Sequence, residues 1–424
     1  MMGTIKADIA THTRDLRIDF ARGLANWFML LDHIPNNVVN LLTMKNFGFS
    51  GAVDLFAFAS GYGAALLFGS MMVERGFVIA ASRILKRAWQ LYAAHLVLFV
   101  VYINAISWVA AQYAAPDLFE EYHVIGVLND PVRVLTHGLL LEARPLNLDV
   151  LQMAIVLLGV FPLSLAALLR WPNLTMLGSL TLYLAARQFD LGLPAYPVGS
   201  AVYLNPFCWQ LLFVLGSYLA LYGTRLVGML QRPQTLRLFA MAYLLLSLLV
   251  MVGANVPAIG NLLPNVLINA FIPIDRENLG PARVLHLLCV ALLFSYFVPA
   301  DWKGFDSKFL QPIIKCGDEW LASFCVGIFL SLAAHMILIT SQNTILLQVL
   351  VSITALTLMT AVAYYVSWSR DQDRAPHVRP APAARPAPVV RKQEDHAIAE
   401  RYRSTETSNA AFAPPAMLRP HQPP

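Results

Sequence analysis

Long apolar runs, separated at intervals by clusters of Lys and Arg, organise this sequence. Ten of them approach the roughly 20 residues that an α-helix needs to cross the hydrocarbon core of a bilayer; they lie at 20–42, 49–71, 88–111, 148–169, 173–187, 204–223, 238–255, 284–300, 316–340 and 344–368. The pattern predicts an all-α polytopic membrane protein: a bundle of about ten transmembrane helices within residues 20–369, preceded by a polar segment 1–19. Residues 1–19 lack the apolar core of a cleavable signal peptide, so the first span is expected to act as its own insertion signal. Two longer connections, Gln112 to Asn147 and residues 256–283, are semi-apolar and are expected to hold surface or re-entrant helices. From about Arg370 the chain turns rich in Pro, Ala and Arg with no periodic apolar face, which predicts a disordered cytoplasmic tail over 370–424.

Composition excludes an ordinary soluble domain, because 58% of the 424 residues are hydrophobic, only 13% are charged and the mean hydropathy is +0.59. Charge then sets the expected orientation. Lys6, Arg14 and Arg17 precede the first span; Arg75, Arg83, Lys86 and Arg87 follow the second. Arg170 follows the fourth, Arg225, Arg232 and Arg237 the sixth, and Lys303 and Lys308 the eighth. The alternate connections are poorer in cations, and the one after the third span carries Asp117, Glu120, Glu121 and Asp130. By the positive-inside rule both termini are expected in the cytoplasm. The net charge of +5 reflects these anchoring cations, so no nucleic-acid partner is expected. Cys208, Cys289, Cys316 and Cys325 lie in or beside apolar runs without CxxC spacing, which predicts free thiols and no metal site.

Ionisable side chains inside membrane spans are costly in lipid and mark function by default. Arg22 and His33 stand eleven positions apart on the first span, about 16 Å along a helix. Asp32 adjoins His33 but points about 100° away on a helix, so an orienting partner is sought on another span, with Asp54 or Asp149 as candidates. The second span also carries a small-residue turn, Ser60-Gly61-Tyr62, in which Ser60 offers a nucleophile or simply close helix packing. Arg83 and Arg87 share one face of the third span, placed either to anchor it or to bind phosphate, and His95 lies two turns beyond. Arg144, Asn147, Asp149 and Gln152 gather at the start of the fourth span. Trp209 at the start of the sixth fits an interfacial belt residue, whereas the amide of Gln210 beside it needs a partner. Arg283 and His286 open the eighth span on one face, and His335 lies near the end of the ninth. In the expected orientation Arg22, Arg83 and Arg87 fall on the cytoplasmic half, with His33, Asp54, Asp149, Arg144, Arg283, His286 and His335 on the outer half. Such a two-ended polar path suits a site reached from both sides of the membrane, and the His33 imidazole is the candidate there for taking a proton near neutral pH.

Arg22, ten residues and His33, followed by Phe56-Ala57-Phe58-Ala59-Ser60-Gly61-Tyr62, resemble the signature of the acyltransferase-3 membrane family. Segments Pro145 to Pro162, Asn205 to Gly216 and Cys316 to His335 are similar to its OpgC branch, and the resemblance extends from about Arg14 to Trp368. It implies an O-acyltransferase of the bacterial inner membrane that transfers succinyl from a coenzyme A thioester to osmoregulated periplasmic glucans, with no permanently bound cofactor. It also implies His33, Asp54 and Asp149 as catalytic residues and Arg22, Arg83 and Arg87 on the donor side. Arg144, Gln210, Arg283, His286 and His335 then face the acceptor. Two alternatives stay open on residues alone: a transporter for a small anion or sugar, since intramembrane charges also mark substrate paths, and a membrane scaffold or sensor. The partners expected are the glucan acceptor and membrane lipid.

Overall fold

A computed structural model describes residues 15–113, 117–124, 126–143, 147–196 and 200–374. Each apolar run overlies a helix: α1 (Leu16–Asp32), α2 (Ala52–Arg75), α3 (Phe77–Gln112), α7 (Asp149–Arg170), α8 (Pro172–Gln188), α9 (Pro206–Gln231), α10 (Gln234–Asn255), α13 (Pro281–Phe297), α15 (Trp320–Thr340) and α16 (Ile345–Arg374). Among the described residues, seven are long and apolar enough to cross a membrane: α2, α3, α7, α9, α10, α15 and α16. The expectation of about ten is therefore met in part. Helices α1, α8 and α13 have 17 residues each, and at 1.5 Å per residue they reach about 26 Å, short of the hydrocarbon thickness. Helix α1 stops early for a local reason. His33 caps it, Pro35 follows, and Asn36 takes a left-handed φ of 54°. The apolar residues that prolonged the hydropathy signal, Val38–Leu42, form a 3-10 turn instead.

The expected surface helices lie in the connections. Between α3 and α7 are α4 (Leu118–Glu121), α5 (Gly126–Asn129) and α6 (Pro131–Leu139). Val132, Leu135 and Leu139 form an exposed apolar stripe on α6, whose other face packs on α3 through Gly138 and Phe99 and through the Tyr92 hydroxyl donating to the Leu139 carbonyl. Before α13 come α11 (Pro257–Gly260) and α12 (Asn265–Asn269), and α14 (Gln311–Asp318) precedes α15. The only strands among the described residues, β1 (Pro194–Ala195) and β2 (Ser200–Ala201), pair as a short antiparallel ribbon in the α8–α9 connection.

Helix α2 occupies the centre, against α1, α3 and α9. It runs unbroken through Ser60, Gly61 and Tyr62, so the expected turn there does not form. The small residue serves helix packing: a Cβ on Gly61 would lie 2.0 Å from the Phe213 carbonyl oxygen, and one on Gly216 would lie 2.2 Å from that of Phe58. A second close crossing joins α1 to α14, where Gly317 admits the Asp19 carbonyl. Because both obstacles at the α2–α9 crossing are backbone, neither can swing aside. Gly61→Val is expected to destabilise the protein by about 1–3 kcal/mol, seen as a lower melting temperature in detergent; an unchanged melt would mean that the crossing is looser than described.

Helix α16 packs along α1 through Leu30, Ile34, Met359 and Ala363, while Asn37 donates to Ser352 Oγ at 2.7 Å. Residues through Asp371 form one compact unit. Helix α16 continues to Arg374, past the change of composition at Arg370, and residues 375–424, where the tail is expected, lie outside the described residues.

Candidate functional site

The C-terminal end of α1 and the N-terminal ends of α2, α7, α9 and α13 converge on a cavity of about 300 Å³, at the small end of ligand-binding cavities. His33 and Asp32 reach it from α1, Ser50, Gly51, Ala52 and Val53 from the start of α2, and Asn147, Asp149 and Gln152 from the start of α7. Trp209 and Arg283 complete the wall from α9 and α13. Lys45, His123, Tyr203 and Arg276 reach it from connections. Helix N-termini carry partial positive charge, and four of them meet here with Lys45, Arg276 and Arg283, against Asp32 and Asp149 in the same lining.

Local bonds fix these side chains. Asp32 accepts from the Thr43 hydroxyl at 2.6 Å and pairs with Lys45 Nζ at 3.0 Å, so it holds the α1–α2 connection and leaves His33 to the cavity. His33 makes no side-chain hydrogen bond among the described residues. Asp54, sought as its partner, is engaged elsewhere. Its Oδ2 accepts from Arg283 Nη2 at 2.5 Å and from the Gly51 N–H at 2.7 Å, and its Oδ1 accepts from Arg283 Nε at 3.1 Å. This two-pronged pair is buried on both sides and fixes Arg283 at the cavity wall. Trp209 is fully buried, with Nε1 donating to the Arg276 and Glu277 carbonyls, so it is a cavity residue and not a belt residue. Gln152 donates to the Ala143 carbonyl at 2.7 Å, and Asn147 donates to the Tyr102 hydroxyl at 3.1 Å.

Other sequence candidates lie apart from the cavity. Gln210 finds its partner between helices: it accepts from Ser179 Oγ at 2.7 Å and donates to the Ser179 carbonyl at 2.8 Å, tying α9 to α8. His335 shares a 2.5 Å hydrogen bond with the Tyr122 hydroxyl, and its Nε2 lies 3.5 Å from Glu121. Glu121, on the connecting helix α4, has its carboxyl raised above the usual range by burial. His286 sits behind the cavity wall against Ser50. His95 is buried against Phe99 on α3. Arg144 lies outside the described residues.

A second polar cluster occupies the far end of α1. Arg22 binds Asp19 at 2.5 Å, and its Nε finds no partner among the described residues. Arg87 lies within electrostatic reach of Arg22 and of Glu319, with its guanidinium 5.3 Å from the Trp320 ring centre. Arg83, one turn earlier on α3, is exposed. Trp320 packs edge-on against Phe56 at 5.3 Å, and Phe56, Trp320 and Phe324 close a narrow apolar gap with Val150, which also lines the cavity. The cavity and the arginine pair are thus separated by an aromatic septum.

Sequence reasoning missed Lys45, Ser50, His123, Tyr203 and Arg276. All five sit in connections or at helix starts, where no apolar period marks them. No group of His, Cys, Asp and Glu side chains among the described residues is arranged to hold a metal ion. Comparison with curated proteins and with solved structures finds no match. The family description "OpgC protein" matches residues 14–371, well over half of the chain, and the chain belongs to the OpgC family of membrane proteins.

Proposed function

We propose that the chain is a membrane O-acyltransferase that moves an acyl group, succinyl in this reading, from acyl-CoA on the cytoplasmic side to hydroxyl groups of a periplasmic glucan. Both termini then lie in the cytoplasm of a bacterial inner membrane. The OpgC family suggests an acyltransferase-type enzyme. The observation that carries the reading is the pairing of two unlike polar sites on the same helices. One is the cavity lined by His33, Asp149 and Arg283; the other is the Arg22–Arg87 pair, beyond Phe56 and Trp320. Arginines suit the phosphates of coenzyme A. An imidazole open to the cavity suits removal of a proton from a sugar hydroxyl near neutral pH. Arg276 and the helix starts at the cavity suit an acyl group ending in a carboxylate. Tyr203 in the cavity lining offers an aromatic ring against which a sugar can pack.

The test is mass spectrometry of periplasmic glucans from cells with and without the gene, joined to transfer by purified protein given succinyl-CoA and glucan. Acyl esters are expected in both arms. Arg22→Ala and Arg87→Ala are expected to raise the KM for acyl-CoA about tenfold with little change in kcat, as loss of a ground-state phosphate contact does. Glucans identical with and without the gene, together with no ester formed by the purified protein, would abandon acyl transfer in favour of transport.

A further inference from the structure

Behind the cavity wall, two groups that the reading above leaves idle are joined. Ser50 Oγ lies 2.7 Å from His286 Nδ1, with both residues buried. The Ser50 backbone N–H also points at Nδ1, at 3.4 Å. A backbone N–H can only donate, so this contact favours the tautomer in which Nδ1 carries the lone pair and accepts from the Ser50 hydroxyl as well. The bond therefore has the polarity of a serine with its base. Gly48 makes room for the ring: a Cβ there would lie 2.0 Å from His286 Nε2. Ser50 itself lines the cavity, and so do the next three residues, Gly51, Ala52 and Val53, at the start of α2. Gly51 brings no capping side chain, so the N–H groups of Ala52 and Val53 have no partner within the helix. Arg283, held by Asp54, stands in the same wall. A nucleophile in the cavity lining with its base behind it, backbone donors at a helix start and a fixed cation thus meet at one cavity, which is the constellation that acyl transfer through a covalent ester requires.

We infer that Ser50 is acylated during turnover, with His286 as its base, so that transfer runs in two steps. The inference rests on the acyl-transfer reading. In the first step His286 Nδ1 takes the Ser50 hydroxyl proton while Oγ attacks the thioester carbonyl. The C–S bond breaks, the proton passes to the departing sulfur, and free coenzyme A thiol and a Ser50 ester result. In the second step His33 takes the proton of a sugar hydroxyl, whose oxygen attacks the Ser50 ester. The bond between the acyl carbon and Ser50 Oγ breaks, and that proton ends on the released Ser50 oxygen. In both steps the carbonyl oxygen gathers negative charge beside the start of α2 and Arg283. Burial of Ser50 keeps bulk water from the ester until the acceptor arrives.

The experiment uses the full chain in detergent with succinyl-CoA and no glucan, quenched in acid and digested. The peptide containing Ser50 is expected to carry one succinyl group, matched by one thiol released per acylated protein. Ser50→Ala is expected to lose the adduct and at least a hundredfold of the transfer rate. His33→Ala is expected to keep the adduct and fail to pass it on, which a merely structural Ser50 would not produce. Should Ser50→Ala fold poorly, the wild-type adduct decides alone. Wild-type protein that acylates glucan without passing through an acylated Ser50 would overturn the inference and leave the enzyme's activity standing. Protein that neither releases thiol from succinyl-CoA nor esterifies glucan would remove the acyl-transfer reading, and this inference with it.

Discussion

His33→Ala is expected to lower glucan acylation by about a hundredfold or more, the range a general base supplies, while membrane abundance stays at the wild-type level. The contrast follows from where the side chain sits. His33 ends α1, and the contact that closes the helix is its backbone N–H donating to the Met29 carbonyl, which alanine retains. The imidazole faces the cavity and makes no side-chain hydrogen bond among the described residues, so its removal takes little from the packing. If it serves as base, wild-type kcat/KM rises with pH as the ring loses its proton and then levels off, and the alanine variant loses that rising limb. Glucans from His33→Ala cells that kept wild-type acylation would remove His33 from the mechanism.

Hydropathy located every helix that shapes the site, because a membrane span needs only a long apolar run and the sequence has ten. It does not fix the number of crossings: seven of the ten runs carry a helix long and apolar enough to cross a membrane. The other three runs, on α1, α8 and α13, carry helices of 17 residues each. Depth sorting along the helices was also legible: His33, Asp149 and Arg283 were expected at one end of the bundle and line one cavity. What spacing along the chain could not reveal is which side chains meet. The bond from Arg283 to Asp54 joins residues 229 positions apart and that from Ser50 to His286 residues 236 apart. Both depend on how α13 lies against the start of α2. Lys45, His123 and Arg276 lie on connections, where no hydrophobic period indicates direction, so their arrival at the cavity is a property of the folded loops alone.

Asp54→Ala is expected to cost both stability and activity, and pairing it with a change at Arg283 separates the two. Asp54 is fully buried and Arg283 nearly so, and each prong of the pair is a hydrogen bond between opposite charges. Removing the carboxylate leaves a guanidinium buried without its counter-charge, which typically costs about 3–5 kcal/mol. It also frees the Gly51 N–H that Asp54 accepts from, loosening the start of α2 at the cavity. The single variant should therefore melt well below wild type in detergent and acylate little. In Asp54→Leu with Arg283→Met both charges are gone, and apolar side chains fill much of the volume; such replacements of buried ion pairs are often neutral or stabilising. The double variant is expected to regain most of the lost melting temperature and to remain inactive, because the cation at the cavity wall is absent. The coupling read from Asp54→Leu alone, Arg283→Met alone and the double measures the pair itself. A double variant that recovered transfer along with stability would show that Arg283 only holds α13 to α2, and contact with a carboxylate-bearing acyl group would then have to rest on Lys45, Arg276 and the helix ends.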